Sequence, residues 1–147
     1  MPILAPYRWT GEGLFFSHTN RMRCPVSSNP VADYDAIAEA VNAYIEGGRA
    51  GSGATTSRAF HSQANIFGYL GGNLLGPEPQ KLYDARDKVG PAPDLEARFT
   101  RVDVTGTAAN VRLDISRAGR PLYTDYLNMV KLDGAWTIVS KAFHMHG

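Results

Sequence analysis

The dipeptide Asp133-Gly134 constrains this chain most, because it separates two β-rich runs near the end of the sequence. Both central positions of a type I′ turn need positive φ angles, which Asp and Gly tolerate, so the pattern predicts a hairpin with a two-residue loop. Such a loop fixes the register of the two strands. Continued without interruption, this register gives five pairs: Leu132 with Ala135, Met129 with Ile138, Leu127 with Ser140, Asp125 with Ala142 and Tyr123 with His144.

The register sorts the hairpin side chains onto two faces, because successive residues of a strand point to opposite sides. Both faces are substantially apolar, which indicates that both are buried. We expect the first face to line an internal pocket, and it carries Tyr123, Asp125, Leu127, Met129, Lys131, Trp136, Ile138, Ser140, Ala142, His144 and His146. The second face carries Thr124, Tyr126, Asn128, Val130, Thr137, Val139, Lys141 and Phe143. Its apolar members Tyr126, Val130, Val139 and Phe143 predict a homodimer interface.

Length and charge limit the classes of protein to which this chain can belong. The 147 residues fit one domain, and 15 basic against 14 acidic residues, scattered without blocks, form no basic patch for nucleic acid or an anionic membrane. The single cysteine, Cys24, excludes an internal disulfide and a cysteine-rich zinc site. No apolar run approaches the roughly 20 residues of a membrane span. We therefore expect a cytoplasmic protein without a nucleic-acid or membrane partner.

The chain before the hairpin divides into an arm and a series of elements. Residues 1–30 hold scattered prolines without a consistent period, and the aromatic residues between Tyr7 and Phe16 either dock on the domain or lie exposed. From residue 31 onward the pattern is typical of one domain with three helices. The first helix is expected from Asp33, as N-cap, to Gly47-Gly48, the second over 54–61 and the third from Pro77 to Gly90-Pro91. Strands are expected over 65–70, 95–105, 107–116, 122–132 and 135–145. This order predicts an α+β fold with helices on one face of a curved sheet.

Three segments resemble the putative lumazine-binding branch of the nuclear transport factor 2-like, SnoaL-like superfamily. They are residues 33–39, 59–68 with its Phe-His pair before a strand, and 133–144 with its Asp-Gly-x-Trp-x-Ile pattern. The resemblance covers about residues 31–147 and implies a cone-shaped α+β barrel, commonly dimeric. Relatives include ketosteroid isomerases, scytalone dehydratase, polyketide cyclases and proteins without known activity, so function does not follow from the fold. The sequence departs from the family at Thr55, Thr56 and Ser57, where leucine is usual, and in the arm before Pro30.

Asp125 is the strongest candidate for chemistry, because a carboxylate on an apolar pocket face is desolvated and has a raised pKa unless it is paired. In the expected register His144 is its diagonal neighbour, and the two would serve as general base and orienter for proton transfer at carbon. The alternative is a structural ion pair, or an Asp125 that accepts a hydrogen bond from a tyrosine or a backbone donor. His61 has two interpretations: a charged residue at a helix terminus, or the pocket-mouth acid or base that the family's Phe-His pair suggests.

We expect one pocket per subunit that binds a small, flat, mostly apolar organic molecule. The expected lining is Tyr44, Tyr69, Tyr83, Tyr123, Leu127, Met129, Trp136, Ile138 and Ser140. The first alternative is a cofactor-independent lyase, isomerase or cyclase that uses Asp125, His144 and His61. The second is a dimeric scaffold without a working pocket. His144 and His146 share a strand face, but the pattern is too weak to predict a metal site, and we expect neither a metal nor a cofactor.

Overall fold

The computed structural model describes residues 30–147, in which helices pack on an open six-stranded sheet. The elements in chain order are α1 (Pro30–Ala50), α2 (Gly53–Ser57), β1 (Phe60–Leu70), β2 (Asn73–Leu75), α3 (Gln80–Val89), β3 (Leu95–Thr105), β4 (Ala108–Arg117), β5 (Arg120–Leu132) and β6 (Ala135–Met145). The strand order is β2-β1-β6-β5-β4-β3, with β1 parallel to β6 and the other neighbours antiparallel. The predicted α+β class is confirmed, and the last four strands, β3–β6, pair consecutively as an antiparallel meander.

The predicted alternatives for the arm aromatics, docking or exposure between Tyr7 and Phe16, lie outside the described residues. Cys24 lies outside them as well. Within residues 30–147, no helix is both long and apolar enough to cross a membrane.

The core lies between α1 and the side of the sheet that faces it, here called the inner face; the opposite side is the outer face. Alternate residues are buried along β4 and β5, as expected for strands with one face against helices. Helix α1 contributes Ile37, Val41 and Tyr44 from one stripe, each at most 1% exposed. The fully buried apolar side chains of the sheet include Ile66, Val111, Leu113, Leu127, Met129 and Ile138.

Helix α1 begins at Pro30, so the prediction that Asp33 caps it is wrong. A proline suits the first turn of a helix, where its missing N–H would have no helical partner. The Asp33 carboxylate instead turns toward the sheet, where Oδ1 accepts hydrogen bonds from Lys131 Nζ at 2.7 Å and Trp136 Nε1 at 3.2 Å. Asp33 therefore ties α1 to the turn end of the β5–β6 hairpin.

The predicted end of α1 at Gly47-Gly48 is also wrong, since the helix continues to Ala50. Gly47 serves close packing instead. A Cβ at this position would lie 2.2 Å from Thr56 Oγ1 and 2.6 Å from the Thr56 backbone nitrogen. The absence of a side chain thus lets α2 press against α1, with Thr56 fully buried in the contact.

Helix α2 is shorter than predicted, because β1 starts at Phe60. His61 consequently lies on a strand and does not end a helix. Ser52 caps α2 by accepting the Thr55 N–H at 3.1 Å. Helix α3 begins at Gln80, three residues after the expected Pro77, and ends before Gly90 as predicted.

The β5–β6 hairpin turns at Asp133-Gly134 as predicted, with φ angles of 50° and 82°. The first pairs, from Leu132 with Ala135 to Met129 with Ile138, are also confirmed. Beyond them the ladder slips by one residue, because Val139 has no partner on β5 and forms a β-bulge. The pairs after the bulge are Asn128 with Ser140, Leu127 with Lys141, Asp125 with Phe143, Thr124 with His144 and Tyr123 with Met145.

The bulge exchanges the faces of β6 relative to the expected register. Lys141 and Phe143 join Asp125 on the inner face, while Ser140 and His144 lie on the outer face. The prediction that Asp125, Ser140 and His144 share a face is therefore wrong, and so is the place of Phe143 in a dimer interface. Side chains along a strand alternate between the two faces, so one extra residue in a strand moves every later side chain to the opposite face.

The buried carboxylate Asp33 gives a pH-dependent prediction. The hydrogen bond from Lys131 holds its pKa below the usual value, helped by Trp136 and opposed by burial. A carboxyl whose pKa is lower in the folded chain stabilises fully above its unfolded pKa of about 4, and this contribution is lost as the pH falls below that value. Asp33→Asn should therefore lower the melting temperature most near neutral pH, with a difference from the native chain that shrinks below about pH 4.

Thermal melts of the two proteins across this pH range, followed by circular dichroism, test the expectation. Asp35→Asn, an exposed change on the same helix, is the control and should not alter the melting temperature. A difference for Asp33→Asn that stays constant at every pH would contradict the assignment.

Candidate functional site

Three polar side chains meet inside the core. Tyr44 Oη donates a hydrogen bond to Asp125 Oδ2 at 2.6 Å, and Lys141 Nζ lies 3.1 Å from the same oxygen. Lys141 Nζ also donates to Tyr44 Oη at 2.5 Å. The exposed fractions are 1%, 0% and 5% for Tyr44, Asp125 and Lys141. We call this closed set the buried triad.

Each member of the buried triad comes from a different element. Tyr44 extends the apolar stripe of α1 toward the sheet, and Asp125 lies on the inner face of β5. Lys141 pairs with Leu127 and is thus the diagonal neighbour of Asp125 across the ladder. It reaches the inner face only because of the Val139 bulge. The feature that removes His144 from the site is the one that supplies Lys141.

Burial dominates the electrostatics of the triad. Desolvation lowers the pKa of the Lys141 ammonium below its usual value, opposed by the charge and hydrogen bond of Asp125 and assisted by the nearby Arg86. Desolvation and then the negative charge of Asp125 raise the pKa of Tyr44 well above its usual value. At neutral pH Tyr44 is therefore a phenol that donates to the carboxylate, while Lys141 gives up its proton more readily than a lysine in water.

A cavity of about 310 Å³ opens beside the triad, between α1, α3 and the inner face of the sheet. Tyr44 and Lys141 line it, whereas Asp125 does not and lies behind them. Its wall is mainly apolar and includes Ile66, Leu75, Leu82, Leu95, Leu122 and Phe143. The cavity therefore presents a hydroxyl and an amine at one place on a hydrocarbon surface, an arrangement suited to a small organic molecule with one polar end.

Arg86 of α3 adds a second cation to the cavity wall. Its guanidinium carbon lies 5.6 Å from the centre of the Tyr44 ring. Gly48 leaves room for it, since a Cβ there would come within 3.2 Å of an Arg86 terminal nitrogen. Among the described residues, the buried Arg86 Nε and Asp125 Oδ1 have no hydrogen-bond partner. Both are buried polar atoms whose hydrogen-bonding capacity the described residues leave unused.

Eight of the nine expected pocket residues separate into three groups, and the ninth, Tyr83, lines a separate cleft. Tyr44 and Tyr123 line the cavity. Leu127, Met129, Trp136 and Ile138 are buried in the core on the inner face and do not line it. Tyr69 is 64% exposed on the outer face, which it shares with Ser140.

The expected histidines lie away from the cavity. His144 is exposed on the outer face, across the sheet from Asp125. His61 and Tyr83 line a separate cleft of about 580 Å³ between β1 and the start of α3. His146 Nε2 lies 3.0 Å from Thr124 Oγ1. Among residues 30–147, no three His, Cys, Asp or Glu side chains form a group able to hold a metal ion.

Sequence analysis missed Lys141 and Arg86. A lysine in a β-rich run is typical of a solvent-facing position, and no residue near Val139 signals the bulge that turns Lys141 inward. Arg86 lies on a mainly polar helix without a fully buried residue, so the pattern of α3 gives no reason to select it. The open alternative that Asp125 accepts a hydrogen bond from a tyrosine is confirmed by Tyr44.

Comparison with known proteins adds sequence and structural relatives. Residues 32–144 match the family model described as putative lumazine-binding. The aldolase FrzH of a Cladobotryum species is 33% identical over 116 residues, which cover 78% of this chain and 93% of that protein.

Solved structures resemble the chain as well. An NTF2-like protein of unknown function from Methylobacillus flagellatus KT superposes with a TM-score of 0.75 at 39% identity, over 82% of this chain and 97% of that one. One from Shewanella baltica OS155 gives the same TM-score and identity, over 82% and 98%. A ketosteroid isomerase-like protein from Erwinia carotovora atroseptica, at 15% identity and a TM-score of 0.57 over 77% and 95%, shares the fold.

The buried triad predicts a large energetic coupling between Asp125 and Lys141. Lys141→Met removes the ammonium and leaves the carboxylate buried with Tyr44 alone, so it should lower the free energy of unfolding by about 3–5 kcal/mol. Asp125→Asn together with Lys141→Met should be less destabilising than the sum of the single changes. Urea unfolding of the four proteins measures this coupling.

The exposed pair of Arg101 and Asp103, whose nearest charged atoms are 3.2 Å apart, serves as the control. The same cycle with Arg101→Met and Asp103→Asn should give almost no coupling, because solvent screens the charges. Additive effects at the triad would show that the two buried charges do not depend on each other.

Proposed function

The chain belongs to the putative lumazine-binding family of NTF2-like proteins, and on that premise we propose that it is a cofactor-independent aldol-type enzyme. It makes or breaks a carbon–carbon bond next to the carbonyl group of a small, mostly apolar compound. Two facts support the class: the likeness to an aldolase over most of both chains, and a cavity with one polar end and a hydrocarbon wall.

The observation that carries the proposal is the ion pair that Lys141, at the cavity wall, forms with Asp125 behind it. A buried pair gains little stability over apolar residues of similar volume, because both charges lose their hydration. A contribution to stability therefore does not by itself explain why the chain has this ion pair. A cavity that needs an activated amine and a phenol gives a stronger reason, since burial and neighbouring charges shift pKa values toward those of working acids and bases.

The proposal assigns distinct roles to the polar groups. Lys141 and Tyr44 act on the carbonyl oxygen and the adjacent carbon, because both line the cavity. Asp125 holds both from behind and exchanges a proton with Lys141 without touching the substrate. Arg86 places its positive charge at the cavity wall, where it stabilises the oxygen on which negative charge develops. His61 and His144 receive no role, since neither lines this cavity.

A ligand carrier without turnover is the second candidate, supported by the same apolar wall. The third interpretation, a scaffold without a pocket, has less support, because a cavity of about 310 Å³ is not filled by the described side chains. Turnover distinguishes the enzyme from the carrier, and a common first event of aldol chemistry is removal of the proton beside the carbonyl.

Proton exchange therefore tests the proposal. A panel of cyclic and aryl ketones in deuterated water, followed by NMR, should show loss of the α-proton signal that depends on the protein. Ala85→Phe, which fills the cavity from an exposed position on α3, should slow this exchange by at least about tenfold, as expected when a substrate is displaced from its catalytic groups.

Ala36→Phe is the matched control, since Ala36 is exposed on α1 and does not line the cavity. It should leave the exchange unchanged. Exchange at the rate of buffer alone for every ketone, together with recovery of an unaltered small molecule from the purified protein by mass spectrometry, would favour the carrier over the enzyme.

We also propose a homodimer through the outer face. Four apolar side chains lie exposed there on neighbouring strands: Phe67 at 45%, Tyr69 at 64%, Leu74 at 58% and Tyr126 at 44%. A patch of this kind is uncommon on a monomer. Of the expected interface residues Tyr126, Val130, Val139 and Phe143, only Tyr126 belongs to this exposed set. Phe143 faces the cavity instead.

Sedimentation at micromolar concentration should give a dimer for the native chain and a monomer for Tyr126→Glu, which places a carboxylate in the apolar interface. Val31→Glu, on an equally exposed apolar residue of α1, should remain dimeric. A native monomer would contradict the dimer proposal and leave the proposal about the cavity untouched.

A further inference from the structure

We infer that Lys141 is a covalent nucleophile, whose amine forms a Schiff base with the carbonyl carbon of the substrate. The inference rests on the proposed aldol-type function and makes it specific. It selects as substrate an aldehyde or ketone, and it excludes an ester or amide, which would not yield a stable imine.

The position of Lys141 supports this role. The chain has four lysines. Lys81 and Lys88 are exposed on α3, and Lys131 pairs with Asp33 at the far end of the hairpin. Only Lys141, among these four, lines the cavity. Its Nζ is fixed by Tyr44 and Asp125, so the amine cannot turn away into solvent.

The surroundings of Lys141 increase the fraction of its amine that is neutral. Burial and the positive charge of Arg86 disfavour the ammonium and lower its pKa. Lys141 Nζ lies 3.1 Å from Asp125 Oδ2, so the carboxylate is placed to accept the proton that leaves the ammonium. A lysine in an apolar pocket near a second cation is a known arrangement for amine nucleophiles.

The reaction balances without any further reactant. The ammonium passes one proton to Asp125, and the neutral amine attacks the carbonyl carbon, forming the C–N bond as the electrons of the C=O π bond move to oxygen. The oxygen takes back that proton and a second one from nitrogen, with Tyr44 Oη as the adjacent donor and acceptor, and leaves as water. One carbonyl and one ammonium thus give one protonated imine and one water.

The charge of the product fits the site. A protonated imine carries the same positive charge as the ammonium it replaces, so Asp125 keeps its counter-charge while the substrate is attached. This matters because a buried carboxylate without a cation is strongly destabilising. The imine draws electrons from the adjacent carbon–carbon or carbon–hydrogen bond, which is the step that aldol chemistry needs.

The test uses 2,4-pentanedione, a diketone that condenses with neutral lysine amines to a conjugated enaminone with loss of water. The native chain should gain one such adduct near neutral pH, seen as new near-ultraviolet absorbance and as added mass. Peptide mapping should place it on Lys141, with a rate at least about tenfold above that of Lys81 and Lys88, because the lowered pKa of Lys141 leaves more of its amine neutral.

Lys141→Arg keeps a cation beside Asp125 but removes the nucleophile, and should abolish the fast adduct. Lys131→Arg is the matched control, because Lys131 is also paired with a carboxylate but lies outside the cavity. It should keep the adduct. If Lys141→Arg fails to fold, the comparison of lysine rates within the native chain still decides.

The outcomes separate the two proposals. Modification of Lys141 no faster than of Lys81 and Lys88, or ketone proton exchange that persists in Lys141→Arg, would overturn the Schiff base and leave the aldol-type function standing. A fast adduct on Lys141 without any ketone exchange by the native chain would support the nucleophile and count against the aldol-type function.

Discussion

The β-bulge at Val139 is the constraint on which the site depends. One unpaired residue on β6 exchanges the faces of every residue after it, so Lys141 and Phe143 point toward α1 while Ser140 and His144 point away. The turn at Asp133-Gly134 fixes the register before the bulge and has no influence beyond it. Which side chains line the cavity thus depends on a local irregularity of the backbone as much as on residue type.

The inner face then has to accommodate a carboxylate and an amine in a core of Val, Leu, Ile and Met. The polar groups are accommodated because they bind one another. Tyr44 reaches from α1 to bind both Asp125 and Lys141, and its ring lies against Lys141 Nζ at 4.7 Å, so the charges are shielded from α1 by an aromatic surface. A second carboxylate, Asp33, joins α1 to the same hairpin near its turn. Helix and hairpin are therefore linked by polar contacts at both ends of an apolar interface.

The sequence was sufficient for features with short-range causes. Asp133-Gly134 predicted its turn, Gly90 the end of α3, and alternation the strands Leu95–Thr105 and Ala135–Met145. Features that depend on contacts between distant parts of the chain could not be predicted from the sequence. Asp33 resembles an N-cap in sequence because its partners are about a hundred residues away, and Gly47 resembles a helix end because the approach of Thr56 is visible only in three dimensions. The register error has the same origin, and it removed Lys141 from the candidates.

Access to Lys141 depends on α3. This helix has no fully buried residue, and Val89 at its end is 79% exposed, whereas α1 buries seven residues, including Ile37, Val41 and Tyr44. Asp87 holds α3 to α2 by accepting the Gly53 N–H at 2.7 Å, and Leu82 covers part of the cavity. Elements with few buried apolar contacts open at lower free energy than the core. Displacement of α3 therefore costs less free energy than displacement of α1, and it would widen the cavity and move Arg86 while leaving Tyr44, Asp125 and Lys141 in place.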